Sequence, residues 1–270
     1  MDKAVVSQRQ SYIQLGRTGD LLLLFPAFKA IHDRTGQKPV VVVSNWFASV
    51  LEGVSYAEPF AINCDPYEDL PLARQMADQF YGNHTVLQCS GKGWTAPGGD
   101  YRNYMHAMWG RAGFTFEEMR SLPLVIDRRS HERERELVKT WRKTQKPLLL
   151  INFGGMTSPF QNHADIRKFL ETYNRAFEIL DLATIRAHRI FDLLGLYDVA
   201  SGLITGDTAT AHLAPASKVP TIWLTQDGGG ASTPRGNCVL ELKYRQAPNQ
   251  VGLMTEIVEQ WLYEPVKRAA

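Results

Sequence analysis

Short apolar runs alternate with longer amphipathic stretches from residue 11 to residue 224, and few folds accommodate that rhythm. Strands separated by helices imply a mostly parallel sheet, because parallel neighbours need a crossover and the crossover is usually a helix. Residues 12–15 read as a strand, 21–34 as a helix, and 39–43 as a strand whose four consecutive valines suit a sheet buried on both faces. A short helix at 48–53, a strand at 61–63, a helix at 70–80 and a strand at 85–88 follow. After Pro147 the pattern restarts with a strand at 148–153, a helix at 164–173, a strand at 177–180 and an amphipathic helix at 187–200. A strand at 203–205, a helix at 209–217 and a strand at 221–224 complete it. The stretch that follows is rich in Gly, Pro and Asn and reads as a loop.

At 270 residues the chain exceeds what one core comfortably fills, so two domains are expected. We place an N-terminal α/β domain at 1–127, a charged linking helix at 128–146 and a second α/β domain at 147–250. The last segment, 251–270, is an apolar helix expected to dock back toward the first domain, because Ile257, Val258, Trp261 and Leu262 would otherwise face water. In the linking segment Glu alternates with Arg and Lys at i, i+3 and i, i+4, which supports a solvated helix. Its many cations also admit a second reading, a track for phosphates, which the interleaved glutamates largely cancel.

The composition, 44% hydrophobic and 21% charged, is that of a folding chain. The longest apolar stretch, 21–28, is far short of the roughly 20 residues of a membrane span. The start of the chain lacks the apolar core of a signal peptide, so a cytoplasmic protein is expected. Cys64, Cys89 and Cys238 are odd in number and widely spaced, which reads as free thiols rather than a disulfide framework or a zinc site. A formal net charge of +2 makes no global case for nucleic acid, and no helix-turn-helix or zinc pattern appears.

Two strand-to-helix turns carry chemistry. In the first, Leu15-Gly16-Arg17-Thr18-Gly19-Asp20, the glycines let a substrate approach the backbone, and Asp20 stands at the carboxyl edge where parallel sheets bind ligands. Asp20 is equally suited to capping the helix. The lysine of a phosphate-binding GxxxxGK[ST] loop is missing, and the turn is not a dinucleotide GxGxxG. In the second, Thr205-Gly206-Asp207-Thr208-Ala209-Thr210-Ala211-His212, backbone N–H groups and hydroxyls at a helix start offer an anion site. His212 can join them or be a satisfied core histidine. The loop 153–159, with Gly154, Thr157 and Ser158, adds donors at the edge of the same domain.

The pair GRTGDLLLLFPAFKAI and ITGDTATAHLAPASKVPTIWL resembles the glycosyltransferase family 9 heptosyltransferases. These carry a GD-[LIV] turn followed by proline and, much later, an [ND]-T-G-x-x-H-L-A-A-A turn followed by V-P. The resemblance implies an α/β GT-B fold, two Rossmann-like domains facing across a cleft with the nucleotide-sugar held mainly by the second. It makes Asp20 the general base of an inverting sugar transfer. It assigns Asp207, Thr208, Ala209 and His212 to the donor turn, Gly154, Thr157 and Ser158 to a phosphate loop, and Leu182 and Ile185 to the nucleotide base. No cofactor is implied beyond the nucleotide-sugar co-substrate, and no metal, since no D-x-D signature occurs.

The chain departs from the family in three places. Ala209 replaces the motif glycine, the lysine common after the phosphate loop has no counterpart, and the span 151–205 has room for one strand–helix unit fewer.

The acceptor is sought in the first domain, at Arg17 and in the aromatic and basic stretch 94–114 with Trp94, Tyr101 and Arg102. Aromatics beside cations stack on bases or sugar rings. Tyr104, Met108 and Trp109 fit the apolar face of a core helix as well. Compact phage-type relatives that glycosylate hydroxymethylated pyrimidines look similar, which leans the acceptor toward modified DNA and the location toward a host cytoplasm. A glycan or lipid-linked sugar is the alternative acceptor. A nucleotide-sugar-binding protein without transfer activity and an epimerase on the same scaffold are the alternatives to transfer.

Overall fold

The computed structural model describes residues 9–91, 94–95, 104–154, 163–225, 235–243 and 247–263. The chain divides into two compact units, Met1–Arg128 and Arg129–Ala270.

The first unit is built on four parallel strands in the order β3-β2-β1-β4, with β1 Ser11–Ile13, β2 Val40–Ser44, β3 Glu58–Ile62 and β4 His84–Val86. Crossovers run through α1 Thr18–Thr35 and α2 Leu70–Tyr81. The valines of β2 are fully buried, as a central strand of such a sheet requires. On one face Ile13, Leu15, Val42 and Ile62 pack with Leu70, Ala73 and Ala77 of α2. A two-stranded antiparallel ribbon, β5 Ser90–Gly91 and β6 Trp94–Thr95, leads toward α3 Tyr104–Arg111 and α4 Phe116–Ser121. α4 opens on a capping box in which Thr115 and Glu118 satisfy each other's backbone N–H groups.

The second unit holds five parallel strands in the order β11-β10-β9-β7-β8. They are β7 Leu148–Asn152, β8 Glu178–Asp181, β9 Gly202–Gly206, β10 Thr221–Thr225 and β11 Cys238–Lys243. Its helices are α5 His131–Trp141, α6 His163–Glu171, α7 Leu194–Val199, α8 Ala209–Leu213 and α9 Ala247–Tyr263. Leu149, Ile151, Ile204 and Ile222 share a core with Ile166 and Leu170 of α6 and with Met254, Val258 and Trp261 of α9.

Several elements differ from what the sequence pattern predicts. The charged segment expected to link two domains is a helix of the second unit: α5 buries Glu134, whose backbone and Cβ lie against Gly195 of α7 so closely that a side chain there would collide. The buried residues of α9, Met254, Val258 and Trp261, belong to the second unit's core. The helix expected at 187–200 is a 3-10 turn, Ile190–Leu193, followed by α7. It begins late because Arg189 is extended and its N–H is taken by the Asp192 carboxylate. The helix expected at 209–217 stops at Leu213 and gives way to a 3-10 turn, because Pro215 has no N–H to continue the ladder. The stretch expected to be loop after β10 contains β11, which completes the sheet as an edge strand.

Candidate active site

In the first unit, β1 ends at Ile13 and the turn after it is held by side chains. The Leu15 N–H donates to Gln88 Oε1 at 3.0 Å, and the Gly16 N–H to Gln14 Oε1 at 2.9 Å. Both glutamines are fully buried, so these bonds are shielded from water. Arg17 is the last residue before α1, and Asp20 sits in the first helical turn, where a negative charge is favoured. Asp20 Oδ2 accepts the Arg17 N–H at 2.8 Å and the Tyr67 hydroxyl at 2.6 Å. Oδ1 takes part in neither bond. A Cβ at Gly16 would collide with this carboxylate and with Gln14 Oε1, so only glycine fits between them.

Tyr67 comes from the loop after β3. Its N–H donates to Leu15 O at 2.8 Å, and the Arg17 guanidinium lies 5.7 Å from its ring centre. Burial, and then the Asp20 charge, push the Tyr67 hydroxyl far above its ordinary pKa. A second buried hydroxyl, that of Tyr104 in α3, lies in the neighbourhood of Asp20 without a hydrogen bond of ordinary length. Burial and the neighbouring Asp20 and Tyr67 raise its pKa as well. The rest of the apolar side of α3 is core: Met105, Met108 and Trp109 are buried, and the Trp109 N–H donates to Leu23 O at 3.0 Å.

In the second unit, the ends of β7 and β9 lie side by side, with Asn152 opposite Thr205. The Asn152 amide donates to Thr210 Oγ1 at 3.0 Å and accepts the Gly154 N–H at 3.0 Å. The hydroxyls of Thr205, Thr208 and Thr210 form a cluster with separations of 3.3, 3.2 and 2.6 Å. The Tyr197 hydroxyl, from beneath, holds Thr210 O at 3.1 Å. His212 Nε2 lies 3.3 Å from Asp207 Oδ1, and its ring packs on Trp223 at 5.4 Å. His212 Nδ1 is buried without a partner. α8 has five residues, too few for the strong dipole of a long helix, and the hydroxyls beside its start bond one another.

Gly154 is exposed beside Ala183. Leu182 is buried in a 3-10 turn, Leu182–Thr184, capped by Asp181, and Ile185 closes it half-buried. Asp181 also pairs with Arg167 at 2.6 Å, whose guanidinium stacks 5.0 Å from the Phe153 ring.

The candidate residues read from the sequence thus fall into two groups. Arg17 joins Asp20, and Asp207, Thr208, Ala209 and His212 gather at one edge with Gly154. Trp94 lies in the β5–β6 ribbon, whereas Thr157, Ser158, Tyr101 and Arg102 lie outside the described residues. Sequence reasoning missed Tyr67, Gln14, Gln88 and Asn152. Asn152 had a signal, a polar residue closing the apolar run Leu-Leu-Leu-Ile at a strand's carboxyl end. Tyr67 had none, since its partner is 47 residues away.

No protein-family model and no curated protein sequence matches the chain. Among solved structures it is similar to a glycosyl transferase family 9 protein from Veillonella parvula, with a TM-score of 0.61 and 12% identity over 98% of this chain and 100% of that one. The E. coli ADP-heptose LPS heptosyltransferase II matches with a TM-score of 0.61 and 13% identity, covering 95% and 99%. The E. coli heptosyltransferase WaaC with ADP-2-deoxy-2-fluoro heptose matches with a TM-score of 0.57 and 10% identity, covering 93% and 99%. At such identities the likeness is one of fold: the chain has the α/β GT-B fold of these glycosyltransferases.

Proposed function

We propose that the protein is an inverting glycosyltransferase that moves a sugar from a nucleoside-diphosphate sugar to a hydroxyl acceptor, with Asp20 as the general base. The observation that carries this reading is the Asp20 carboxylate, held at the carboxyl edge of β1 by the Arg17 N–H and the Tyr67 hydroxyl with Oδ1 outside both bonds. Capping and catalysis are compatible here, because they use different oxygens. The acceptor oxygen attacks the anomeric carbon and passes its proton to Asp20, while the bond to the diphosphate breaks and the diphosphate leaves with the electron pair. The hydroxyls of Thr208 and Thr210, with Asp207, Ala209, His212 and the Gly154 edge, bind the donor and stabilise the charge that develops on the leaving group. On this reading no metal is required, and activity persists in EDTA.

ADP-heptose is the first donor to try, since it is the donor named for one of the similar enzymes. For the acceptor, the burial of Met108 and Trp109 removes a stacking surface for bases and sugar rings alike. The LPS named for one of the similar enzymes favours a glycan hydroxyl, with the hydroxymethyl group of a modified pyrimidine in DNA as the second arm of the assay.

The test pairs donor binding with transfer. A thermal-shift panel of nucleotide-sugars finds the donor, because a ligand that binds only the folded chain raises its stability by about 2.7 kcal/mol at a hundredfold excess over Kd. Asp20→Asn keeps the cap, so donor binding should survive while transfer falls by about 10²–10⁴-fold. A variant that transfers sugar like the parent excludes Asp20 as the base. Wild-type protein that binds donor and transfers to neither acceptor class points instead to a binding protein or an epimerase.

A further inference from the structure

We propose that Tyr67 is a positioning residue for the transfer reaction: its hydroxyl occupies Oδ2 of Asp20 and so presents Oδ1 to the acceptor. The inference rests on the reading of Asp20 as the base and deepens it.

Three observations meet at this side chain. The first is backbone conformation. Tyr67 has φ 63°, in the left-handed region that a bulky residue rarely adopts, and Asp69 in the same loop has φ 55°. Such a conformation persists only where its surroundings over-determine it, and it concentrates at functional sites. Here the Leu15 carbonyl takes the Tyr67 N–H, the Gln88 amide reaches the Tyr67 carbonyl at 3.4 Å, and Arg17 lies over the ring. The loop after β3 is thereby clamped onto the turn that carries Asp20.

The second is the hydrogen bond. At 2.6 Å, the Tyr67–Asp20 contact has the short separation of a hydroxyl donating to a carboxylate, the stronger, charge-assisted kind. Together with the Arg17 N–H it fixes one oxygen from two directions, which sets the rotation of the carboxylate about its Cβ–Cγ bond. The third is the local polarity. The hydroxyls of Tyr67 and Tyr104 share the neighbourhood of this carboxylate, and burial and the Asp20 charge raise both above the ordinary tyrosine pKa, further from the neutral range. Tyr67 is therefore a donor that ordinary changes of pH do not switch off.

The ring and the hydroxyl have separable roles. The ring packs the loop; the hydroxyl orients the base. Tyr67→Phe keeps the first and deletes the second. We expect this variant to fold, to bind nucleotide-sugar with unchanged affinity, and to lose about ten- to hundredfold in kcat with little change in either KM, the size expected for one hydrogen bond to a charged group. A role in packing alone leaves Tyr67→Phe with the parent's kcat and overturns the inference. The hydrogen bond is also read without turnover: the wild-type chain should show a downfield, slowly exchanging hydroxyl proton in its NMR spectrum that is absent from Tyr67→Phe. Its absence from the wild type overturns the inference whatever the variant does. If the wild-type chain transfers no sugar, the proposed function falls and this inference with it. If it transfers and Tyr67→Phe matches it, this inference alone falls.

Discussion

The indole of Trp261 lies against the bare backbone of Gly202, so closely that a Cβ on that glycine would overlap the ring. Gly202 opens β9 and Trp261 belongs to α9, so the last helix is seated on its sheet through the one residue type that leaves room for it. Gly202→Ala should lower stability by about 1–3 kcal/mol through overpacking, and Trp261→Ala by about 3–5 kcal/mol through the cavity it leaves. In the double variant the alanine methyl enters that cavity, so the two effects should sum to less than their parts. Urea denaturation of the four proteins checks the coupling.

Gly16 makes the equivalent fit at the candidate site. Gly16→Ala would drive a methyl group into the Asp20 carboxylate, the nearer contact, and into Gln14 Oε1. The expected result is loss of transfer with the nucleotide-sugar thermal shift retained. A variant as active as the parent would show that the turn tolerates a displaced Asp20.

Glu134 carries the packing of α5. Its buried carboxylate accepts Arg129 Nε at 2.8 Å and Arg129 Nη2 at 2.9 Å, with His131 Nδ1 at 2.9 Å. Asp198 of α7 binds the same guanidinium, and these carboxylates hold the Arg129 pKa above its ordinary value against the cost of burial. Glu134→Ala leaves Arg129 with Asp198 as its remaining carboxylate partner and two of its donors unpaired, and should cost about 1–3 kcal/mol. Equilibrium denaturation measures it, and Glu134→Gln should recover part of the loss.

Glu178 gives the second unit a pH-dependent contribution. Burial pushes its carboxyl up, but hydrogen bonds from the Lys143 N–H and from the Thr144 hydroxyl and N–H outweigh that, and the net pKa lies below the ordinary glutamate value. A depressed pKa means that the stabilisation is complete above the unfolded-chain pKa and is lost as the pH falls through the folded one. Thermal unfolding of Glu178→Gln should therefore show a shallower fall in Tm than the parent on acidification below about pH 4.5.

The thiols should be quiet. Burial raises the pKa of Cys64, Cys89 and Cys238 above the ordinary thiol value. At neutral pH a thiol-reactive dye should label the folded chain slowly and the urea-unfolded chain fast, with three thiols counted at the end.

The parts of this protein legible in the sequence are those set by local chemistry. Four valines after a proline read as a buried strand, and a Gly-Arg-Thr-Gly-Asp turn reads as joining a strand to a helix at the carboxyl edge of the sheet. The threonines and His212 of the second turn are legible in the same way, because each helix-start residue is defined by its near neighbours. Where pattern and structure part, the competing cause is also local but weak: Pro215 shortens one helix and the Arg189–Asp192 cap delays another. The charge pattern of α5 shows a solvated helix well enough, yet it cannot show that Glu134 turns inward, because its partner surface lies about sixty residues further along.

What only the tertiary structure decided is which groups share a site. Periodicity and turn chemistry act over a few residues, so the sequence by itself determined two α/β units and presented Asp20 at the end of β1. The Tyr67 hydroxyl meets that carboxylate only because β2 and β3 carry their loop to the same sheet edge. Gln88 reaches Leu15 only because β4 lies beside β1, and Asn152 reaches Thr210 because β7 lies beside β9. Strand order is set by burying the whole apolar surface at once, and no short window of sequence contains it.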